Sequence, residues 1–197
     1  MARRSEGESL LAYLFWHWKR PEITAMDYEN RQRGFHAALG TSPSPGFVES
    51  FSFRVSNAPW AAVSDAYEDW YLVQDFAALG PLNEAAVSAH RAPRHDAAAA
   101  AAAGGAGGLY GLKWGSPLRP PQYAHWFRKP EGMPYPDFYA RVTPVVDRVQ
   151  GALWRRQMVL GPAPEFCLHA ATPVSMPAGL EPLVIPLRQT WQTRRMR

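Results

Sequence analysis

The hydrophobic pattern of the chain changes period several times, and each change marks an element. Leu10–Lys19 is an almost unbroken aromatic and aliphatic run closed by Lys19, Arg20 and Pro21, which predicts a first strand. Thr24-Ala-Met-Asp27 has capping-box spacing, with Asp in place of Glu. It predicts a helix to about Leu39 whose inward stripe is Tyr28, Phe35, Ala38 and Leu39, stopped by Gly40. Phe47–Ser56 alternates, with Phe51, Phe53 and Val55 as the buried side. Tyr67–Gln74 is apolar at most positions, as in a strand covered on both faces. Asp75 is placed to cap a helix to about Ser88. Asp96 is placed to cap the run Ala97–Ala103, which Gly104 and Gly105 would end. Leu109–Trp114 predicts a further strand, and the proline-rich Gly115–Gln122 a boundary.

The second part repeats this order in shorter form. Tyr123–Lys129 reads as a strand. Pro136 suits a first helical turn, and Phe138, Val142, Val145, Val146 and Val149 recur at helical spacing, with Pro144 expected to kink the helix. Leu153–Leu160 and Glu165–Ala170 read as a hairpin, and Leu183–Gln189 as a last, edge strand. Thr172–Pro182 reads as a loop where the first part has a helix. Residues 15–22 (Phe-Trp-His-Trp-Lys-Arg-Pro-Glu) and 124–131 (Ala-His-Trp-Phe-Arg-Lys-Pro-Glu) align without a gap at an offset of 109. An internal repeat of this kind constrains architecture strongly. The expected organisation is a first unit over residues 10–115, a shortened second unit over 122–190, and basic tails at 1–9 and 191–197.

One unit reads strand–helix–strand–strand–helix–strand, the ferredoxin-like order, in which one face of an antiparallel sheet stays apolar and must be covered. Two such units in tandem can cover each other. The pattern over about residues 10–190 resembles the dimeric α/β-barrel superfamily in a duplicated, single-chain form. The resemblance implies an α+β chain of two ferredoxin-like repeats, their sheets face to face as a pseudo-dimeric barrel, the second repeat trimmed. The superfamily includes antibiotic-biosynthesis monooxygenase-type proteins, polyketide cyclase-like proteins and haem-degrading enzymes. It has no shared catalytic signature, so it assigns no residue here.

Composition narrows this further. With 47% hydrophobic residues, a chain of 197 can bury a sizeable core, yet no apolar run has membrane-spanning length. The start lacks a signal-peptide cleavage pattern. The formal charge of +4 belongs to the tails. Without Arg3, Arg4, Arg194, Arg195 and Arg197, 16 basic residues face 17 acidic ones. A nucleic-acid partner or a membrane is therefore not expected. The single Cys167 excludes an internal disulfide and fits a reducing, cytoplasmic setting. The chain is expected to act as a monomer or homodimer.

Candidate chemistry lies on the first strands. His17 sits between Trp16 and Trp18, and Tyr67-Glu-Asp-Trp-Tyr71 puts Asp69 and Tyr71 on one face and Glu68 and Trp70 on the other. A buried carboxylate needs a partner, and an Asp69–His17 pair would orient the imidazole for acid–base work beside Tyr71. His17, Asp69 and Tyr71 are the expected catalytic set, with Trp16, Trp18, Arg54, Trp70 and His125 as substrate-binding walls. The plainer alternative makes the histidines satisfied core residues and leaves Glu68 and Asp69 in water at a strand mouth. The gapless repeat sets His17 and His125 one step out of phase, hence on opposite sheet faces. Glu165, Cys167 and His169 share a strand face without metal-ligand spacing, so Cys167 is expected to be structural. Gly104–Gly108 follows a helix instead of opening one, which does not fit a phosphate loop. The expected activity is that of a small-molecule-binding barrel, monooxygenase- or cyclase-like, on an aromatic or polyketide-like substrate, without cofactor or metal. The alternative is a non-catalytic binding or structural protein.

Overall fold

A computed structural model describes residues 10–117 and 120–193; the tail arginines named above lie outside them. The first half runs β1 (Leu11–Lys19), α1 (Ala25–Thr41), β2 (Phe47–Ser56), β3 (Asp65–Val73), α2 (Leu79–Ala86), α3 (Ala92–Ala101) and β4 (Ala102–Gly115). The second runs β5 (Tyr123–Phe127), α4 (Tyr135–Val149), β6 (Ala152–Arg156), β7 (Phe166–Ala170), β8 (Leu183–Pro186) and β9 (Arg188–Gln192). No helix among the described residues is long and apolar enough to cross a membrane.

All nine strands form one antiparallel sheet in the order β8-β5-β7-β6-β4-β1-β3-β2-β9. The first half supplies β4-β1-β3-β2 and the second β8-β5-β7-β6, so each contributes the ferredoxin-like order. The halves join where β4 pairs with β6. The closing segment turns at Leu187: β8 pairs with β5 at one end of the sheet and β9 with β2 at the other. The sheet is thereby a nearly closed barrel. The last strand, expected at an edge, bridges both ends instead.

Strand alternation decides what fills the barrel. Ala12, Leu14 and Trp16 of β1, Trp70 and Leu72 of β3, Tyr110 of β4, Trp126 of β5, Trp154 of β6 and Cys167 of β7 share one buried core. Indoles meet there at 5.8 Å (Trp16–Trp126) and 5.2 Å (Trp70–Trp154) between ring centroids. Such tilted aromatic contacts add about 0.5–1.5 kcal/mol each beyond burial. The opposite faces of the strands meet the helices. Phe138, Val142, Val145 and Val146 of α4 pack on Phe127, Leu153, Phe166 and Leu168 as a filled apolar layer. In the first half, Phe35 and Leu39 of α1 meet Leu11, Tyr71, Val73 and Leu82.

Several local expectations are corrected. The Thr24 hydroxyl caps α1 by accepting from Asp27 N at 3.1 Å, but the helix passes Gly40 and ends at Thr41. Helix α3 starts at Ala92, next to Pro93, and Asp96 lies inside it. Pro144 sits on the exposed side of α4, which runs through it. The glycines at 104–108 are strand, paired along β1. They are required because β1 lays its rings across β4: a Cβ at Gly105 would come within 2.5 Å of Phe15 Cζ and 2.8 Å of the Trp16 carbonyl oxygen. A Cβ at Gly104 would meet Trp18 Cζ2 at 2.6 Å. Finally, Trp16 and Trp126 both face the barrel core, so His17 and His125 both face the helices. The true strand register exceeds the gapless offset by one residue, and that undoes the predicted opposition of the two histidines.

Candidate functional site

The odd-numbered residues of β1 and β3 look away from the barrel toward α1. His17, Asp69 and Tyr71 therefore project from one sheet face, and they converge. His17 Nε2 lies 3.1 Å from Asp69 Oδ2, and the Tyr71 hydroxyl donates to the same oxygen at 2.9 Å. A residue absent from the sequence prediction completes the cluster: His36 Nε2 of α1 also lies 3.1 Å from Asp69 Oδ2. Both imidazoles contact the carboxylate at ion-pair distance but off the line of a good hydrogen bond. Their other nitrogens are held by hydroxyls, His17 Nδ1 by Tyr28 at 2.6 Å and His36 Nδ1 by Ser50 Oγ at 2.9 Å. Asp69 can only accept, so Nε2–H of each ring is turned to its carboxylate. Ring stacking fixes the planes: His17 lies between Phe15 and Tyr67, and His36 lies parallel to Tyr71 at 5.0 Å. His36 was legible in principle, because it continues the stripe Tyr28, Gln32, His36 at i, i+4 spacing.

The electrostatics follow from burial. Asp69 is buried, which alone would raise its carboxyl. The charge of and contacts from His17 and His36 outweigh that and hold it below the usual carboxylate range. Tyr71 is driven well above the phenol value by burial and then by the Asp69 carboxylate. Tyr28 is raised for the same two reasons, in that order. The other oxygen, Asp69 Oδ1, is buried and has no hydrogen-bond partner among the described residues.

Asp69 and Tyr71 border a cavity of about 860 Å³ between the sheet and α1, α2 and α3. Tyr13 and Phe15 form its sheet side together with Gly105 and Gly107, while Phe35, Leu82 and Ala98 come from the helices. Gln32, Asn83 and His95 are its other polar groups. The alanine and glycine segment is thus a cavity wall, and its small side chains leave the space open. His17 does not line this cavity; it stands behind Asp69, fully buried.

The remaining predicted residues are placed elsewhere. Trp16 and Trp70 point into the barrel, where both indoles donate to Glu68 at 2.6 Å. Burial pushes the Glu68 carboxyl up to about 7 against these two bonds. Neither Glu68 nor Asp69 reaches water. Trp18 lies over Gly104. Arg54 pairs with Asp65 at 2.6 Å and borders a separate polar groove with Arg188. His125 belongs to the second half: its Nδ1 donates to Leu168 O at 3.1 Å and its Nε2 accepts from Val174 N at 2.9 Å. Cys167 is buried in the barrel, its thiol raised by burial and then by Glu68. No group of three or more His, Cys, Asp or Glu side chains among the described residues is arranged to hold a metal ion.

No protein-family model and no curated protein matches the chain. Solved structures do. A suspected monooxygenase from Fusobacterium nucleatum superposes with a TM-score of 0.64 at 9% identity, covering 96% of both chains. An anthrone oxidase-like protein gives 0.55 at 8% identity, over 95% of this chain and 93% of the other. A suspected chlorite dismutase gives 0.50 at 11% identity, over 92% and 96%. Likeness at such identity speaks for architecture alone, and the chain has the fold of the dimeric α/β barrels, nearly closed within one polypeptide.

Proposed function

We propose that the chain binds a small aromatic molecule in the 860 Å³ cavity and performs acid–base chemistry on it, as a cofactor-independent, monooxygenase- or cyclase-like enzyme. The observation that carries this reading is Asp69 Oδ1. A carboxylate held ionised by two imidazoles, on a residue that borders a largely apolar cavity and with one buried oxygen unpartnered among the described residues, is costly unless something donates to it. A ligand hydroxyl or amide fits that role. Asp69 touches the ligand and Tyr71 adjoins it. His17 and His36 position Asp69 and keep it charged, so they are positioning residues. Tyr13, Phe15 and Phe35 supply rings for stacking. The names of the structural neighbours lend support at the level of reaction class only.

The same reading has the chain work in the cytoplasm as a monomer or homodimer, on a small organic molecule and without nucleic acid or membrane. It treats the two halves as an internal duplication, since strand order repeats between them; superposing 10–115 on 122–190 should overlay at least three strands and the first helix. The functional test uses anthrone and hydroxyanthraquinones. Equimolar binding by titration calorimetry is expected, with oxygen consumption in the anthrone reaction. Both should be lost in Ala98→Leu, which fills the cavity, while its circular dichroism stays native. Wild-type protein that binds none of these compounds would overturn the proposal. Binding without turnover would leave a non-catalytic binding protein.

A further inference from the structure

Resting on the reading that this cavity takes an aromatic ligand, we propose that His95 is its general base. The ligand would then be a flat dihydroxyaromatic, anchored through one hydroxyl at Asp69 and ionised at the other by His95. His95 is carried by α3 and lines the same cavity as Asp69 from the helix side. Phe35 stands between the two stations, its ring 5.6 Å from His95 and 6.4 Å from Tyr71 by centroids.

The tautomer of His95 is set from behind. Its Nδ1 lies 3.1 Å from Asp96 Oδ1, and a carboxylate there requires Nδ1–H. Nε2 is left with its lone pair on a residue that lines the cavity, the relation by which a carboxylate makes a neighbouring imidazole a base. Asp69 cannot do this work, because two imidazoles and the Tyr71 hydroxyl already stabilise its ionised form. His17 cannot either, being sealed behind Asp69 and between two rings. The step is a simple transfer: the ligand O–H bond breaks, the electron pair stays on oxygen, and the proton forms the Nε2–H bond of an imidazolium beside Asp96.

The geometry also sets the ligand's shape. Tyr13 and Phe15 lie across the β4 glycines, and the alanines of α3 face them, so the space suits a planar ring system. Both stations accept hydrogen bonds, which calls for two donors on the ligand. Other charged and titratable groups near His95 include Arg94 beside it on α3, which lies against Gly34 of α1, Arg91 one turn before it, Arg31, which bonds the Ala97 carbonyl, and Tyr13 and Tyr71 across the cavity.

Alizarin, a planar dihydroxyanthraquinone whose colour reports ionisation, tests this without turnover. Bound to the wild-type chain it should ionise at least one pH unit below the free dye. His95→Gln should lose that shift and, by the same linkage, bind the ionised dye about tenfold more weakly than wild type, and His95→Asn should repeat the result. Asp69→Asn should weaken binding tenfold or more. Circular dichroism of each variant should match wild type. Dye that binds and titrates identically in wild type and His95→Gln would overturn the role of His95 while leaving the cavity reading intact. Dye that does not bind wild type at all would overturn both.

Discussion

Replacing Asp69 by Asn tests the central claim about the site with no knowledge of the ligand. The carboxylate is buried, so its charge is expensive, and the variant could stabilise or destabilise. The structure decides the sign. Because the two imidazoles and the Tyr71 hydroxyl hold the folded carboxyl below its unfolded value, ionised Asp69 favours folding. Asn keeps the shape but loses the charge, and its amide turns a donor toward groups that are donors. The clean Tyr71 bond to a charged acceptor is worth about 1.5–3 kcal/mol, and the off-line imidazole contacts add less. A loss of about 2–4 kcal/mol at pH 7 follows, or roughly 5–15 °C in melting temperature for a domain this size. The pH dependence is the sharper readout. A depressed carboxyl contributes stability that is fully present above its unfolded value, near about 3.9, and is lost as pH falls through the folded one. Urea unfolding of both proteins at pH 7 and pH 3 should show the gap narrowing at the lower pH. An Asp69→Asn protein as stable as wild type at pH 7, or a gap that ignores pH, would refute the argument that His17 and His36 offset the burial of Asp69.

Other perturbations have separable signatures. Glu68 has the opposite sign: its carboxyl is raised to about 7, so stability should fall by on the order of 3 kcal/mol as pH rises from about 4.5 through 7, and Glu68→Gln should flatten that slope in melting curves. Gly105→Ala should cost about 1–3 kcal/mol in chemical denaturation, because its methyl group meets the Trp16 carbonyl oxygen, which is backbone and cannot swing away. His125→Ala should cost about 2–3 kcal/mol by removing the bond to the Leu168 carbonyl and the partner of the Val174 amide, and should leave alizarin binding unchanged.

How much was legible in the sequence depended on whether a residue's role was local. Strand alternation alone put Asp69 and Tyr71 on one face, and the aromatic run put His17 on the neighbouring strand. Their convergence then needed only that β1 and β3 pair, which the ferredoxin-like order implies. Trp16 and Trp70 were read as pocket walls because an aromatic beside a candidate base looks functional. Their direction was already fixed by parity, since each neighbours in sequence a residue facing the helices. His36 and His95 were missed for a different reason. Each lies on a helix whose packing partner is distant in sequence, and nothing local distinguishes a polar residue facing a cavity from one facing water.

The low-complexity segment shows where composition misleads. Alanines followed by glycines are featureless in sequence and predict only a helix and its end. In the fold the same featurelessness has two uses. The β4 glycines let the rings of β1 lie flat against the sheet, and the α3 alanines withdraw the facing wall. The second half offers a natural contrast. There Phe127, Phe166 and Leu168 meet α4 in a filled layer, no second crossover helix covers the sheet among the described residues, and His125, the histidine on the helix side, is bonded to backbone through both ring nitrogens. One architecture thus serves two purposes according to side-chain volume. Large side chains beneath the helix make the second half a support. Small ones, with a buried carboxylate at the wall, leave the first half a cavity of about 860 Å³.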